Sequence, residues 1–284
     1  MEGKSLSPAA KRLNMVLTII LTIVSIIFLV PIIIVTMNSF KSKGYISLEP
    51  FALPNGETFS RLENYVHGID MTNFPSAIFY SAVITVTSVV VLIFFTSMCA
   101  WFITRVKSKI TSGLYYLFVF SMIVPFQMVM YSMSYIANEY GFNKPIGIQV
   151  MYLGFGAGLC VFMFSGFVKA IPLEMEEAAL IDGCSPLRTF FSIDFPVLKP
   201  TVVTVTILQA MWIWNDYLLP YLILDIEKNR TIPIAIQYLQ GGYGSVDMGA
   251  MMAMLVLAML PIIIFYLTCQ KYIVKGVMAG AVKG

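Results

Sequence analysis

Six long apolar runs limit what this chain can fold into. They cover about 14–37, 76–103, 114–136, 150–167, 201–224 and 249–269. A helix that crosses a bilayer needs about 20 predominantly apolar residues. Lipid offers the backbone no hydrogen bonds, so a spanning segment must be a helix or part of a closed barrel. Barrel strands alternate apolar and polar residues, whereas these runs are continuous. The expected fold is therefore all-α: a single polytopic transmembrane domain, residues 1–284, with six spanning helices. A composition of 58% hydrophobic and 12% charged residues fits that class and no ordinary soluble one. The first run, Met15 to Met37, is longer than the core of a signal peptide, about 7–15 residues, and no small-residue cleavage site follows it. It is expected to remain as a helix.

Basic residues set the orientation. Lys4, Lys11, Arg12, Arg105, Lys107, Lys109, Lys169, Arg188, Lys199, Lys271, Lys275 and Lys283 fall on one side, twelve of the eighteen. Lys41, Lys43, Arg61, Lys144, Lys228 and Arg230 fall on the other. Cytoplasmic loops carry the excess of Lys and Arg, so both termini are expected in the cytoplasm. The net charge of +3 has this origin and gives no support to a nucleic-acid partner. Cys99, Cys160 and Cys269 fall within runs and Cys184 on the cytoplasmic side, with no CxxC pair, so neither a disulfide framework nor a metal site is expected. The lone His67 reads as an ordinary surface residue of the first outer loop.

The connection between the fourth and fifth runs is unusually acidic for so apolar a chain. Glu174, Glu176, Glu177 and Asp182 lie close together there. Its grammar is that of two short helices. Pro172 suits a first turn, and the acids sit near the positive end of a helix dipole. Ala178, Ala179 and Leu180 favour helix, and Gly183 supplies a stop. Ser185 is a suitable N-cap and Pro186 a suitable first residue for a second helix, expected to run to Pro196. On local physics alone, a helical cover over the inner mouth of a bundle is as good a reading as a partner-binding lever. A DNA-binding helix-turn-helix is disfavoured by the acidic first helix.

Glu177-Ala178-Ala179, three residues, Gly183, nine residues and Ile193-Asp194-Phe195-Pro196 resemble the EAA motif of permease subunits of ATP-binding-cassette importers. Phe195 stands where that family usually has Leu. Met37-Asn38-Ser39-Phe40-Lys41, Glu63-Asn64-Tyr65, Trp214-Asn215-Asp216-Tyr217 and the ending Gln270 to Gly284 are similar to the carbohydrate-uptake branch, in particular to the second, six-helix permease of maltose and multiple-sugar pairs. The resemblance implies a coupling hairpin at about 170–200, with Glu177, Ala178, Ala179, Asp182 and Gly183 docking on an ATPase subunit. It also implies a second homologous permease, two ATPase subunits, an extracellular or periplasmic solute-binding protein and a sugar as partners. The location would be a bacterial or archaeal cytoplasmic membrane. No Gly-x-x-x-x-Gly-Lys-Ser/Thr occurs, so this chain is not expected to bind ATP by a P-loop, and the resemblance implies a non-catalytic subunit that binds no cofactor itself. ATP and Mg would be used by the partner ATPases.

Asp216 is the lone acidic residue within the six runs, and an ionisable group inside a span is a functional candidate. With Trp214 and Asn215 it offers aromatic faces and polar groups suited to a sugar, although an interfacial aromatic belt has the same composition. In the third run Pro125 predicts a bend, and Gln127 and Tyr131 could line a cavity or pack. The last outer loop holds Gln240, Gly241, Gly242 and Tyr243, placed where sugar permeases of this type reach toward the binding protein; a plain flexible connection would look the same. Three other readings compete. They are an importer permease for a non-sugar solute, a stand-alone secondary transporter, which would show an internal repeat, and a membrane enzyme. No repeat and no nucleophile–base pair is visible.

Overall fold

A computed structural model describes residues 8–239 and 246–281, with side chains as far as Gln270. In chain order the α-helices are α1 (Pro8–Asn38), α2 (Lys43–Leu48), α3 (Glu63–Thr72), α4 (Phe74–Arg105), α5 (Lys109–Ser121), α6 (Phe126–Glu139), α7 (Ile148–Val168), α8 (Leu173–Ile181), α9 (Pro186–Thr189), α10 (Phe195–Val197), α11 (Lys199–Trp214), α12 (Leu218–Ile223), α13 (Ile232–Gln237) and α14 (Met248–Ala281). A π-helical turn, Phe190–Asp194, joins α9 to α10. Among the described residues there is no strand, and one isolated bridge pairs Lys41 with Phe59.

Four helices, α1, α4, α7 and the Met248–Gln270 part of α14, are long and apolar enough to cross a membrane; the count rises to six if each of two bent pairs, α5 with α6 and Pro186–Val197 with α11, is one span. The first, second, fourth and sixth apolar runs lie inside these four. The third and fifth do not form continuous helices. Run 114–136 divides into α5 and α6, which meet at 106°. Pro125 stands at the break in an extended conformation, φ −63° and ψ 136°, and its missing N–H and ring oppose an unbroken helix. Run 201–224 divides into α11 and α12, with Asn215, Asp216 and Tyr217 between them. Pro196 does not end the second hairpin helix as expected. The π turn, closed by the Phe195 N–H on the Phe190 carbonyl, leads into α10 with Pro196 inside it.

The chain divides into two compact units by backbone contacts. One comprises Asn73–Gln237 and Ala258–Gly284. Its spine is the pairing of α4 with α7, on which α5 and α11 also pack. Leu92, Ala100, Tyr152, Cys160, Val161 and Phe164 are fully buried along this seam. Ser81, Thr85, Ser88, Thr96 and Ser97 of α4 are buried beside them, the small polar residues that let membrane helices approach closely. Gly158 of α7 marks the tightest approach, where an added Cβ would meet the Phe118 carbonyl oxygen of α5 at 2.6 Å.

The other unit comprises Met1–Thr72 and Tyr238–Leu257. In it the chain after α1 folds back onto α3. Asn64 Nδ2 donates to the carbonyls of Ser39 and Lys41, both at 2.8 Å, and to Ser60 Oγ. Ser39 Oγ and Tyr65 Oη share a hydrogen bond, and Phe40 packs on the Tyr65 ring. Lys41 is 1% exposed, and its ammonium donates to the Glu49 carbonyl at 2.7 Å. The two short motifs at Met37–Lys41 and Glu63–Tyr65 are therefore the two halves of one clasp. His67 Nδ1 lies 3.2 Å from Asp247 Oδ2, with the imidazole largely exposed.

Gly158→Ala is expected to destabilise the protein by about 1–3 kcal/mol, because a methyl group there overpacks the α5–α7 contact. Gly154→Ala, where a Cβ meets nothing within 4 Å, serves as control. The check is the thermal midpoint of the detergent-purified protein, lowered in the first variant and not lowered in the second, where alanine is the better helix former.

Candidate functional sites

The acidic connection folds as a hairpin of α8 and α9 joined at Gly183. Gly183 has φ +80° with open space around its Cα, so the requirement for glycine is the left-handed backbone and not room. The Cys184 N–H reaches the Ala179 carbonyl at 2.9 Å and the Gly183 N–H reaches that of Leu180 at 3.0 Å, which closes the end of α8. Ser185 Oγ accepts from the Arg188 N–H and starts α9. Pro172 is the N-cap residue of α8 and lies just before its first turn.

Helical phase divides the motif residues. Ala179 is buried, while Glu177, Ala178, Asp182 and Gly183 are exposed. Leu180 and Leu187 are also exposed, and Ile181 at the tip is 86% exposed. The hairpin thus presents apolar side chains beside the carboxylates of Glu177 and Asp182. The acid turned inward is Glu176, 5% exposed. Its Oε1 accepts from Arg105 Nε at 2.6 Å, and Arg105 Nη2 donates to the Ile171 carbonyl at 3.1 Å. Arg105 ends α4, so the ion pair ties the hairpin to the spine. Asp194 is 0% exposed nearby. Sequence reasoning did not single out Arg105, Glu176 or Asp194 as a group. One visible signal was a basic residue closing the second apolar run.

The polar cluster of the fifth run is split by the break. Asp216 Oδ1 accepts from the N–H groups of Leu218 and Leu219 at 3.0 and 3.4 Å and so caps α12. Its Oδ2 accepts from Tyr152 Oη of α7 at 3.0 Å. The Trp212 ring meets the Tyr152 ring edge-on, with centroids 5.5 Å apart. Asp216, Trp212, Phe126, Gln127 and Phe155, with Leu218 and Leu219, line a cavity of about 210 Å³. Trp214, in contrast, turns away: its Nε1 donates to the Ala258 carbonyl at 3.3 Å. It lines a separate, larger and almost wholly apolar cavity of about 350 Å³ with Pro261 and Phe265. Asn215 is exposed and bonds to the Met211 carbonyl. Tyr131 is exposed and does not line either cavity. The structure therefore unites Gln127 with Asp216 and separates both from Trp214, Asn215 and Tyr131; Trp212 and Tyr152 take their places. Gln240, Gly241, Gly242 and Tyr243 lie outside the described residues.

The family described as binding-protein-dependent transport system inner membrane component matches residues 92–279, a stretch that includes the hairpin, α7 and the Asp216 break. The chain belongs to this family. It is 38% identical to the probable starch degradation products transport system permease protein of Thermoanaerobacterium thermosulfurigenes, over 94% of this chain and 96% of that one. It is 34% identical to the multiple sugar-binding transport system permease protein of Streptococcus mutans, over 93% and 95%. A third relative, the melibiose/raffinose/stachyose import permease protein of Bacillus subtilis, is 30% identical over 97% and 99%. The fold is similar to that in the crystal structure of a bacterial ABC transporter involved in the import of the acidic polysaccharide alginate, with TM-score 0.74, 20% identity and coverage of 95% of this chain and 99% of that one.

Asp216→Ala is expected to remove the cap of α12 and to lower stability by about 0.5–2 kcal/mol. Asp216→Asn keeps an acceptor for the Leu218 N–H and is expected to recover most of that loss. Thermal unfolding of the two purified variants checks the difference.

Proposed function

We propose that this chain is one of two permease subunits of an ATP-driven, binding-protein-dependent sugar importer in a bacterial or archaeal cytoplasmic membrane. The observation that carries the reading is the hairpin: an exposed, apolar-tipped pair of short helices bearing Glu177 and Asp182, tied to α4 by Arg105, in a chain whose relatives over nearly full length are named for sugar transport. Residues 1–284 act as one permease with both termini in the cytoplasm. α5–α6 and α11–α12 are bent spans in this reading, and residues 170–200 lie outside the membrane. Two ATPase subunits use ATP and Mg; one of them receives the hairpin tip. Ile181, Leu180 and Leu187 supply the apolar contact. Glu177 and Asp182 pair with basic groups at its rim, each exposed pair contributing little, about 0.2–1 kcal/mol.

The cavity beside Asp216 serves the substrate path. Its volume of about 210 Å³ holds part of a sugar chain and not a whole oligosaccharide. The Trp212, Phe126 and Phe155 rings suit the C–H faces of a sugar, and Gln127 and the remaining lone pair of Asp216 suit its hydroxyls. No lysine or arginine lines the cavity, which favours a neutral sugar. The helix break supports this role, because irregular backbone at membrane depth is tolerated where protein or a water-filled cavity surrounds it.

The complex, co-purified with its second permease and ATPases and placed in liposomes with its binding protein, is expected to take up a labelled neutral oligosaccharide only with ATP and Mg. Gly183→Leu places a side chain on a left-handed backbone, a cost of about 1–2 kcal/mol, and mis-sets the hairpin tip. Uptake is expected to fall at least tenfold at an unchanged membrane level. Uptake by this chain alone without ATP, or normal uptake by the Gly183 variant with its ATPases bound, overturns the reading.

A further inference from the structure

Apart from the cavity and the hairpin tip, Asp194 is a buried carboxyl whose two oxygens both lack a formed hydrogen bond. It lies in the π turn of the hairpin's second leg, fully shielded from solvent. A buried carboxylate without donors is costly, so a fold that keeps one must neutralise it.

The groups that act on Asp194 come from three directions. Glu176 of α8 brings a second carboxyl within hydrogen-bonding reach; Arg105 and the Trp101 ring N–H come from the end of α4. The Arg105 guanidinium is already engaged, through Nε to Glu176 and through Nη2 to the Ile171 carbonyl. One cation therefore faces two buried carboxyls. Two carboxylates are both acceptors and can bond to each other only if one carries a proton. Two carboxyls facing each other in a site closed to water disfavour joint ionisation.

We propose that Asp194 and Glu176 share one proton beside Arg105, and that this proton sets the position of the hairpin's second leg against the end of α4. Asp194 is the carboxyl that holds it, because Glu176 already accepts the Arg105 Nε–H at 2.6 Å. With the proton in place, Asp194 donates to Glu176, and the cluster of two acids and one guanidinium is neutral. Without it the cluster is a buried anion, and the π turn moves away from α8. Titration follows in direction. Burial first, and then the Glu176 carboxyl, push Asp194 up to about 7, against the pull of Arg105 and Trp101. The folded protein then binds a proton that the unfolded chain has already lost. Stability from this group is greatest below the ordinary carboxylate range. It declines as pH rises toward 7 and is level above it. The role of the cluster in transport rests on reading residues 170–200 as the coupling hairpin; the shared proton does not.

The test uses the assembled complex in lipid. Infrared difference spectra between pH 6 and pH 8 are expected to show loss of one protonated-carboxyl band near neutrality, absent from Asp194→Asn. Amide hydrogen exchange across α8 to α10, corrected for its intrinsic pH dependence, is expected to rise several-fold over the same interval and to stay flat in that variant, whose amide donates to Glu176 permanently. Glu176→Gln removes the facing charge and is expected to shift the band's midpoint to lower pH. ATP-driven uptake is expected to fall as pH on the hairpin side rises, relative to Asp194→Asn. A missing band, or equal exchange profiles for wild type and Asp194→Asn, overturns the proposal. If band and exchange behave as stated while uptake is insensitive to pH, the shared proton stands and the coupling role of the hairpin fails.

Discussion

The close packing of α4 on α7 is the contact on which the rest of the larger unit depends. Two membrane helices gain no hydrophobic driving force from each other when lipid is as apolar as leucine, so their seam relies on close approach. Here it is built from Ser88, Ser97 and Gly156 beside Leu92 and Phe164. Both candidate sites hang from this pair. Near one end of α7, Tyr152 holds Asp216 and with it the start of α12. At the end of α4, Arg105 holds Glu176 and the Ile171 carbonyl, where α7 gives way to the hairpin. The stretch of α7 from Tyr152 to Val168 is roughly 24 Å long at about 1.5 Å per residue. The cavity and the hairpin thus share one packed support.

Four of the six runs were legible as continuous helices long and apolar enough to cross a membrane, because lipid imposes a length and a composition that no other environment does. The left-handed turn at Gly183 was legible because only glycine adopts it readily. The bend at Pro125 carried a signal too, in the missing N–H. The break at residues 215–217 was harder to read. An Asn-Asp pair in an apolar run looks like a polar patch on a helix face, and only the cap geometry of Asp216 shows that the helix stops.

The acids show where a single sequence falls silent. Glu176 and Glu177 are adjacent and chemically alike, and both precede good helix formers. Which one turns inward depends on the rotation of α8 against the end of α4, and that is set by a contact 71 residues away in sequence. The same holds for Trp212 and Trp214. Two positions apart on a helix they point in different directions, one to Tyr152 and the other to the Ala258 carbonyl. Residue type does not separate the two indoles, and the phase of α11 decides which one lines the cavity with Asp216.

The clasp centred on Asn64 has a consequence for biosynthesis. Asn64 and Tyr65 of α3 hold the Ser39–Lys41 segment, an association that closes as soon as both have left the ribosome. The remainder of α3 is finished only from the far end of the chain. A Cβ at Gly68 would meet the Met254 side chain at 2.8 Å, Asn64 lies against Gly249, and Thr72 Oγ1 donates to Met254 Sδ at 3.7 Å. The smaller unit is therefore discontinuous in time as well as in sequence. Its first part waits, incomplete, while Asn73–Gln237 of the larger unit is translated, and it closes only when the start of α14 follows. A truncation before α14 would leave that early segment permanently without its last partner, an open surface for quality-control proteases.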